Sequence, residues 1–124
     1  MRVTVQEMMQ VANAVVKRVD GATAQQMLAD GAVMIDLRDG AELVQTGKAT
    51  GALHISRGML EFRADPASPL YHEELRFERP VVLHCASGGR AALAGKLLLD
   101  MGYETVVNLG GFKDWIEAGG SVDT

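Results

Sequence analysis

The only cysteine of the 124-residue chain, Cys85, stands among residues of the types that nucleophilic sulfur chemistry needs. It follows the apolar run 81–83 and precedes an Ala- and Leu-rich run, so the pattern predicts a buried strand, a tight loop and a helix. The N-terminus of that helix would offer free N–H groups and a favourable dipole, which stabilise a thiolate. The sequence therefore predicts an activated nucleophile here. The alternative is that Cys85 is a small, inert side chain at the end of a strand.

The loop after Cys85 is also predicted to bind an anion. Two glycines allow the backbone to curl so that several N–H groups converge, and an arginine adds a guanidinium beside them. The predicted anion cradle consists of Ala86, Ser87, Gly88, Gly89 and Arg90.

Asp36 and Arg38 stand at the end of the apolar run 32–36, whose composition is typical of a strand covered on both faces. Ligands of open α/β sheets bind at the carboxyl ends of the strands, so both residues are candidates for a supporting role at the site. The alternative is an ion pair that fixes the turn.

Arg57 follows the short predicted strand 52–55, which would deliver it to the same edge of the sheet. A guanidinium at that position can bind a small oxyanion through two hydrogen bonds. A structural bridge from Arg57 to Glu61 is an equally good interpretation.

Composition limits the function classes. The chain has the length of one domain, a net charge of −4 and 48% hydrophobic residues. No stretch clusters Lys and Arg without interleaved acids, which argues against a nucleic-acid partner, and no apolar run approaches the roughly 18 residues of a membrane span. The three histidines are isolated, so we predict no metal and no cofactor. With one cysteine and no signal-peptide pattern, we expect a cytoplasmic protein.

Strands that alternate with helices predict a doubly wound α/β fold. Two capping boxes, Thr4 to Glu7 and Thr23 to Gln26, predict helices over 4–17 and 23–29. The apolar stripe of the first helix can pack on the core or dock a partner. Further helical segments are expected at 40–46, 59–63, 70–76, 91–101 and after 112, and further strands at 81–83 and 105–109.

The chain resembles a single rhodanese domain from about Val19 to Gly120. The resemblance rests on Ile35 to Asp39 with Gly51 to Ile55, on the loop from Cys85 to Arg90, and on Gly102-Tyr103 with the stretch from Leu109 to Trp115. It implies a mainly parallel five-stranded sheet flanked by helices on both faces. Residues 1–18 would then be an N-terminal helical extension, and 19–124 the rhodanese domain.

The resemblance further implies a sulfurtransferase. Cys85 would take sulfane sulfur from thiosulfate or a persulfide donor, hold it as a persulfide, and pass it to cyanide or a thiol. The N–H groups of residues 86–90 would cradle the persulfide, and Arg90 and Arg57 would hold the donor anion. Because no second cysteine exists, the acceptor must be external, either a small molecule or a protein.

Two other functions stay open. The domain could be a non-catalytic sulfur carrier or regulatory interaction module, because the family includes partner-binding members. It could also be a cysteine phosphatase, but those enzymes place the arginine six positions after the cysteine. Arg90 is five positions after Cys85, and the smaller ring suits a sulfur atom better than phosphate.

Overall fold

The computed structural model describes residues 1–124, in which short strands alternate with helices. The strands are β1 (Lys17–Arg18), β2 (Val33–Asp36), β3 (Lys48–Ala49), β4 (Leu53–His54), β5 (Val81–Cys85), β6 (Val106–Gly111) and β7 (Val122–Asp123). The helices are α1 (Val5–Val15), α2 (Gly21–Ala29), α3 (Gly40–Thr46), α4 (Leu60–Ala64), α5 (Gly89–Met101) and α6 (Phe112–Glu117), with a 3₁₀ turn at Arg57–Met59. None of the helices has the length and apolarity needed to cross a bilayer.

Five strands form one sheet in the order β1-β6-β5-β2-β4, and every neighbouring pair is parallel. A separate antiparallel pair joins β3 to β7. The predicted α/β fold with a five-stranded parallel sheet is confirmed. Its strand order puts β5, which ends in Cys85, at the centre of the sheet.

Side chains on the central strands alternate between two hydrophobic clusters, as the pleat of a strand requires. Ile35 and Leu83 face the cluster that includes side chains of α4 and α5. Met34 and Val82 face the cluster that includes side chains of α2 and α6. Helices therefore cover both faces, as predicted, and the apolar strands are buried on both sides.

The N-terminal segment differs from the predicted extension in one respect. The Thr4 hydroxyl accepts the N–H of Glu7 at 3.1 Å, so the first predicted capping box is present. The helix ends at Val15, however, and Lys17–Arg18 continue as an edge strand parallel to β6. Residues 1–18 thus add a strand to the main sheet. The apolar stripe of α1 is divided, because Ala12 is buried whereas Met8 and Val11 are exposed.

The second predicted capping box, from Thr23 to Gln26, is wrong. Helix α2 begins at Gly21, and the Asp20 carboxylate accepts the N–H of Thr23 at 2.8 Å. An aspartate is among the best N-cap residues, so the helix starts one turn earlier than the Thr23 pattern suggests.

The predicted helix over 70–76 is also wrong, because the segment 65–80 folds as successive turns. The N–H of His72 donates to the Arg63 carbonyl at 2.9 Å, and Leu75 is fully buried. A helix of seven residues is marginal by itself. A backbone hydrogen bond to α4 and the buried side chain of Leu75 hold the segment in place of a helix.

Replacement of Leu75 by alanine should lower the free energy of unfolding by about 2 to 5 kcal/mol, because it leaves a cavity in the core. Leu70, in the same segment, is 48% exposed and provides the control. Leu70→Ala should change stability by no more than about 0.5 kcal/mol. Chemical denaturation measures both, and equal effects would contradict the anchoring role of Leu75.

Candidate active site

Cys85 is the last residue of β5 and only 1% exposed. Its Sγ atom accepts the backbone N–H of Gly88 at 3.0 Å. This short turn requires a left-handed backbone at Gly88, where φ is 102°, a conformation that favours glycine. Ala86 and Ser87 are exposed above it. The thiol therefore lies under a solvent-facing loop and is held by a backbone donor.

Gly88 is also the N-cap of α5 and has no side chain with which to cap the helix. The first turn of α5 thus presents free N–H groups and the positive end of its dipole at the loop. An anion formed at or beside Sγ would meet these donors. The predicted strand, loop and helix at Cys85 are all present.

Asn108 of β6 holds the loop from the side and is 2% exposed. Its Nδ2 donates to the Gly88 carbonyl at 3.0 Å, and its Oδ1 accepts the N–H of Gly110 at 2.7 Å. The loop packs so closely on β6 that a Cβ at Gly111 would overlap the Ala86 carbonyl. These hydrogen bonds of Asn108 were not predicted from the sequence. The signals for them were a polar residue in an apolar strand and glycines at the end of that strand.

Arg90 is paired with Glu42, a residue of α3 that was not among the candidate site residues. Nη1 and Nη2 of Arg90 donate to the two carboxylate oxygens of Glu42 at 2.8 and 3.0 Å. Glu42 also accepts the N–H of Asp39 at 3.0 Å. The hydrogen bonds from Arg90, followed by the bond from Asp39, lower the pKa of Glu42 to about 2. The expected charge of Arg90 is thus present, but it is compensated and fixed in place.

Asp36 and Arg38 form a buried ion pair, with Nη2 of Arg38 at 2.9 Å from Oδ2 of Asp36. The guanidinium also donates to Thr46 Oγ1 at 2.9 Å and to the Gly47 carbonyl at 3.2 Å, and it lies 4.3 Å from the centre of the Phe112 ring. Burial alone would raise the pKa of Asp36, but the hydrogen bonds and the charge of Arg38 lower it overall. These contacts correspond to the predicted alternative, in which the pair fixes the turn after β2.

His84 adjoins this pair and is completely buried. Its Nε2 lies 3.7 Å from Oδ2 of Asp36 and has no hydrogen-bond partner. Burial lowers the pKa of His84, and the charge of Asp36 opposes that shift only in part. The imidazole directly before Cys85 in the chain is therefore held neutral inside the protein.

Arg57 lies beyond β4, at the other edge of the sheet from β1. Its Nη1 donates to Oε1 of Glu61 at 2.9 Å, the bridge foreseen as its alternative role. Arg57 also faces a groove of about 580 Å³ between α1 and α5. The other lining residues are Val3, Glu7, Met8, Val11, Leu93, Lys96, Leu97 and Asp100.

Comparison with known proteins identifies relatives along almost the whole chain. The model of the rhodanese-like domain family matches residues 20–118. A thiosulfate sulfurtransferase of Haemophilus influenzae is 29% identical over 110 residues, which are 87% of this chain and 95% of that protein. The structure of a polysulfide-sulfur transferase homodimer from Wolinella succinogenes is 35% identical with a TM-score of 0.72, covering 92% of this chain and 82% of its own.

Another similar structure comes from Rhodopseudomonas palustris and is described as a protein of unknown function and possible tyrosine phosphatase. It is 35% identical, with a TM-score of 0.89, and the match covers 99% of this chain and 96% of that one.

Acid should destabilise the fold through His84. Because its pKa in the folded protein lies below the ordinary value of 6.5, the unfolded chain takes up a proton that the folded protein does not. The free energy of unfolding should fall as the pH drops below about 6.5, with a contribution of up to about 1.4 kcal/mol per pH unit. Denaturation at pH 8 to 5 measures it.

The variant His84→Phe should lose this part of the slope, and the control variant His72→Gln should keep it. An unchanged slope in His84→Phe would contradict the assignment to His84.

Proposed function

Because the chain belongs to the rhodanese-like domain family, we propose that it transfers sulfane sulfur from thiosulfate or a persulfide donor through a persulfide on Cys85. Its relatives support sulfurtransferase activity in general. The observation that carries the specific proposal is the 3.0 Å contact from the Gly88 N–H to Sγ, at the uncapped N-terminus of α5. That geometry suits a sulfur anion at the end of the Cys85 side chain.

In the first step, the Cys85 thiolate attacks the outer sulfur of the donor. A bond forms between Sγ and that sulfur while the sulfur–sulfur bond of thiosulfate breaks, and sulfite leaves with the electron pair. The outer sulfur of the resulting persulfide carries the negative charge. The N–H groups of residues 86–90 would stabilise this charge, as backbone donors do for other developing anions.

In the second step, a nucleophile attacks the outer sulfur and the Cys85 thiolate is regenerated. Cyanide would give thiocyanate, and a thiolate would give a new persulfide. Cys85 is the only cysteine, so the acceptor comes from outside the chain. We expect a small thiol or a protein acceptor in the cytoplasm, where thiols are kept reduced.

Arg90 and Arg57 are proposed to hold the oxyanion end of the donor, and Asp36 with Arg38 to support the strands beneath the loop. Arg57 is one-third exposed, at 31%, and only its Nη1 is engaged by Glu61, which leaves further donors of the guanidinium for a ligand. Both Nη atoms of Arg90 donate to Glu42, so its part in holding the donor would be the attraction of a charge that is fixed in place.

Phosphatase activity is the second candidate, because the Rhodopseudomonas palustris structure carries that description. The five-residue step from Cys85 to Arg90 argues against it, since a phosphate group needs a larger ring of donors. The two functions share the nucleophile but leave different groups on it.

Incubation with thiosulfate should add one sulfur atom, about 32 Da, to the wild-type protein, because the persulfide is a covalent intermediate. Cys85→Ser should gain nothing. Intact-mass spectrometry of both proteins across thiosulfate, polysulfide and glutathione persulfide provides the measurement. Absence of an adduct with every donor would overturn the proposal, and Cys85-dependent hydrolysis of an aryl phosphate in its place would favour the phosphatase.

Arg57→Ala should raise the KM for thiosulfate about tenfold, as expected for the loss of a charge-assisted hydrogen bond, and should affect an uncharged sulfur donor less. Steady-state kinetics with both donors checks this. The matched control is Glu61→Ala, which breaks the same ion pair but keeps the guanidinium. If the two variants behave alike, Arg57 is a structural residue and has no role in donor binding.

A further inference from the structure

Arg18 brings a guanidinium to the Cys85 loop, from outside the residues that match the family model. It belongs to the edge strand β1 and stands in register with Asn108 of β6. The next residue, Val19, donates its N–H to the Asn108 carbonyl at 3.0 Å, which fixes the strand. Asn108 in turn bonds to Gly88, so β1 and the active loop are attached to the same residue.

Two glycines make room for the Arg18 side chain. A Cβ on Gly110 would overlap Nη2 of Arg18, and a Cβ on Gly88 would lie 3.3 Å from Nη1. The guanidinium therefore lies across the backbone of the loop and of β6. The guanidinium lies against Gly88, and the Gly88 N–H is 3.0 Å from Sγ. The charge of Arg18 therefore lies closer to the thiol than the roughly 10 Å beyond which 0.1 M salt screens a charge.

The charge of Arg18 is less compensated than those of Arg57 and Arg90. Arg57 and Arg90 have carboxylate oxygens at 2.9 and 2.8 Å. For Arg18 the nearest pairing is with Asp114 Oδ2 at 3.7 Å, beyond hydrogen-bond distance, and that oxygen already accepts the N–H of Gly111 at 2.8 Å. The Arg18 side chain is 58% exposed, so a ligand can approach it from solvent.

We propose that Arg18 is a specificity-determining residue that favours anionic reactants at Cys85, such as thiosulfate or a polysulfide anion. The choice of these donors rests on the proposed function. The electrostatic effect of Arg18 on reactions of the Cys85 thiol is independent of it. The arginine attracts the anionic end of the reactant from the β1 side of the loop, while the N–H groups of the loop receive the sulfur. Edge strand β1 thus provides part of the site in addition to covering β6.

The test compares alkylation of Cys85 by iodoacetate and by iodoacetamide, in which the thiolate displaces iodide from an anionic or a neutral reagent of similar size. Arg18→Gln should lower the ratio of the iodoacetate rate to the iodoacetamide rate about threefold at low salt, since Coulomb attraction acts on the anion alone. The difference should shrink in 0.5 M NaCl. The KM for thiosulfate should rise by a similar factor, with a smaller change in kcat.

Lys17→Gln is the matched control, because it removes the same charge from the neighbouring position of β1, whose side chain points to the opposite face of the sheet. This variant should keep the wild-type ratio, and Arg18→Lys should recover most of it. Equal ratios in Arg18→Gln and Lys17→Gln would overturn the inference. A lowered ratio in a protein that forms no persulfide would instead reject the proposed function and leave the role of Arg18 intact.

Discussion

The conformation of the loop after Cys85 depends on the side-chain amide of Asn108. One end of the amide accepts a backbone N–H of its own strand, and the other donates to the carbonyl of Gly88, so a single buried side chain joins β6 to the active loop. If either bond were lost, a buried polar group would remain unpaired, which costs about 1 to 3 kcal/mol. The carbonyl held in this way belongs to Gly88, the same residue whose N–H donates to Sγ.

Strand order makes this attachment available. Because β6 lies between β1 and β5, its carboxyl end contacts the active loop on one side and the strand that carries Arg18 on the other. On the opposite side of β5, strand β2 ends in Asp36 and is followed by Arg38, and the bonds of these two residues fix the turn leading to α3. Helix α3 then presents Glu42 to Arg90. Strand β6 on one side and the segment from β2 to α3 on the other thus constrain the loop. The loop itself needs only small residues to adopt its conformation.

Local patterns predicted the features that depend on adjacent residues. The apolar run before Cys85, the glycines after it and the Ala-rich stretch predict a strand, a loop and a helix, and all three are found. The pairing of Glu42 with Arg90 spans 48 positions and that of Asn108 with Gly88 spans 20, so both depend on strand register and helix placement that local periodicity does not contain. The predicted helix at 70–76 fails for the same reason, because tertiary bonds decide that segment.

The charge around the loop is compatible with the persulfide proposed on Cys85. Glu42, with a pKa of about 2, stays ionised throughout the physiological range and keeps Arg90 both fixed and neutralised. The buried pair of Asp36 and Arg38 is neutral as a unit. The remaining positive potential comes from the N–H groups at the start of α5 and from Arg18 beside them. A phosphate group carries close to two negative charges at neutral pH and three acceptor oxygens. A persulfide carries one charge on one atom, which a short loop of backbone donors can stabilise, whereas the dianionic donor thiosulfate needs the additional positive charge that the arginines are proposed to supply.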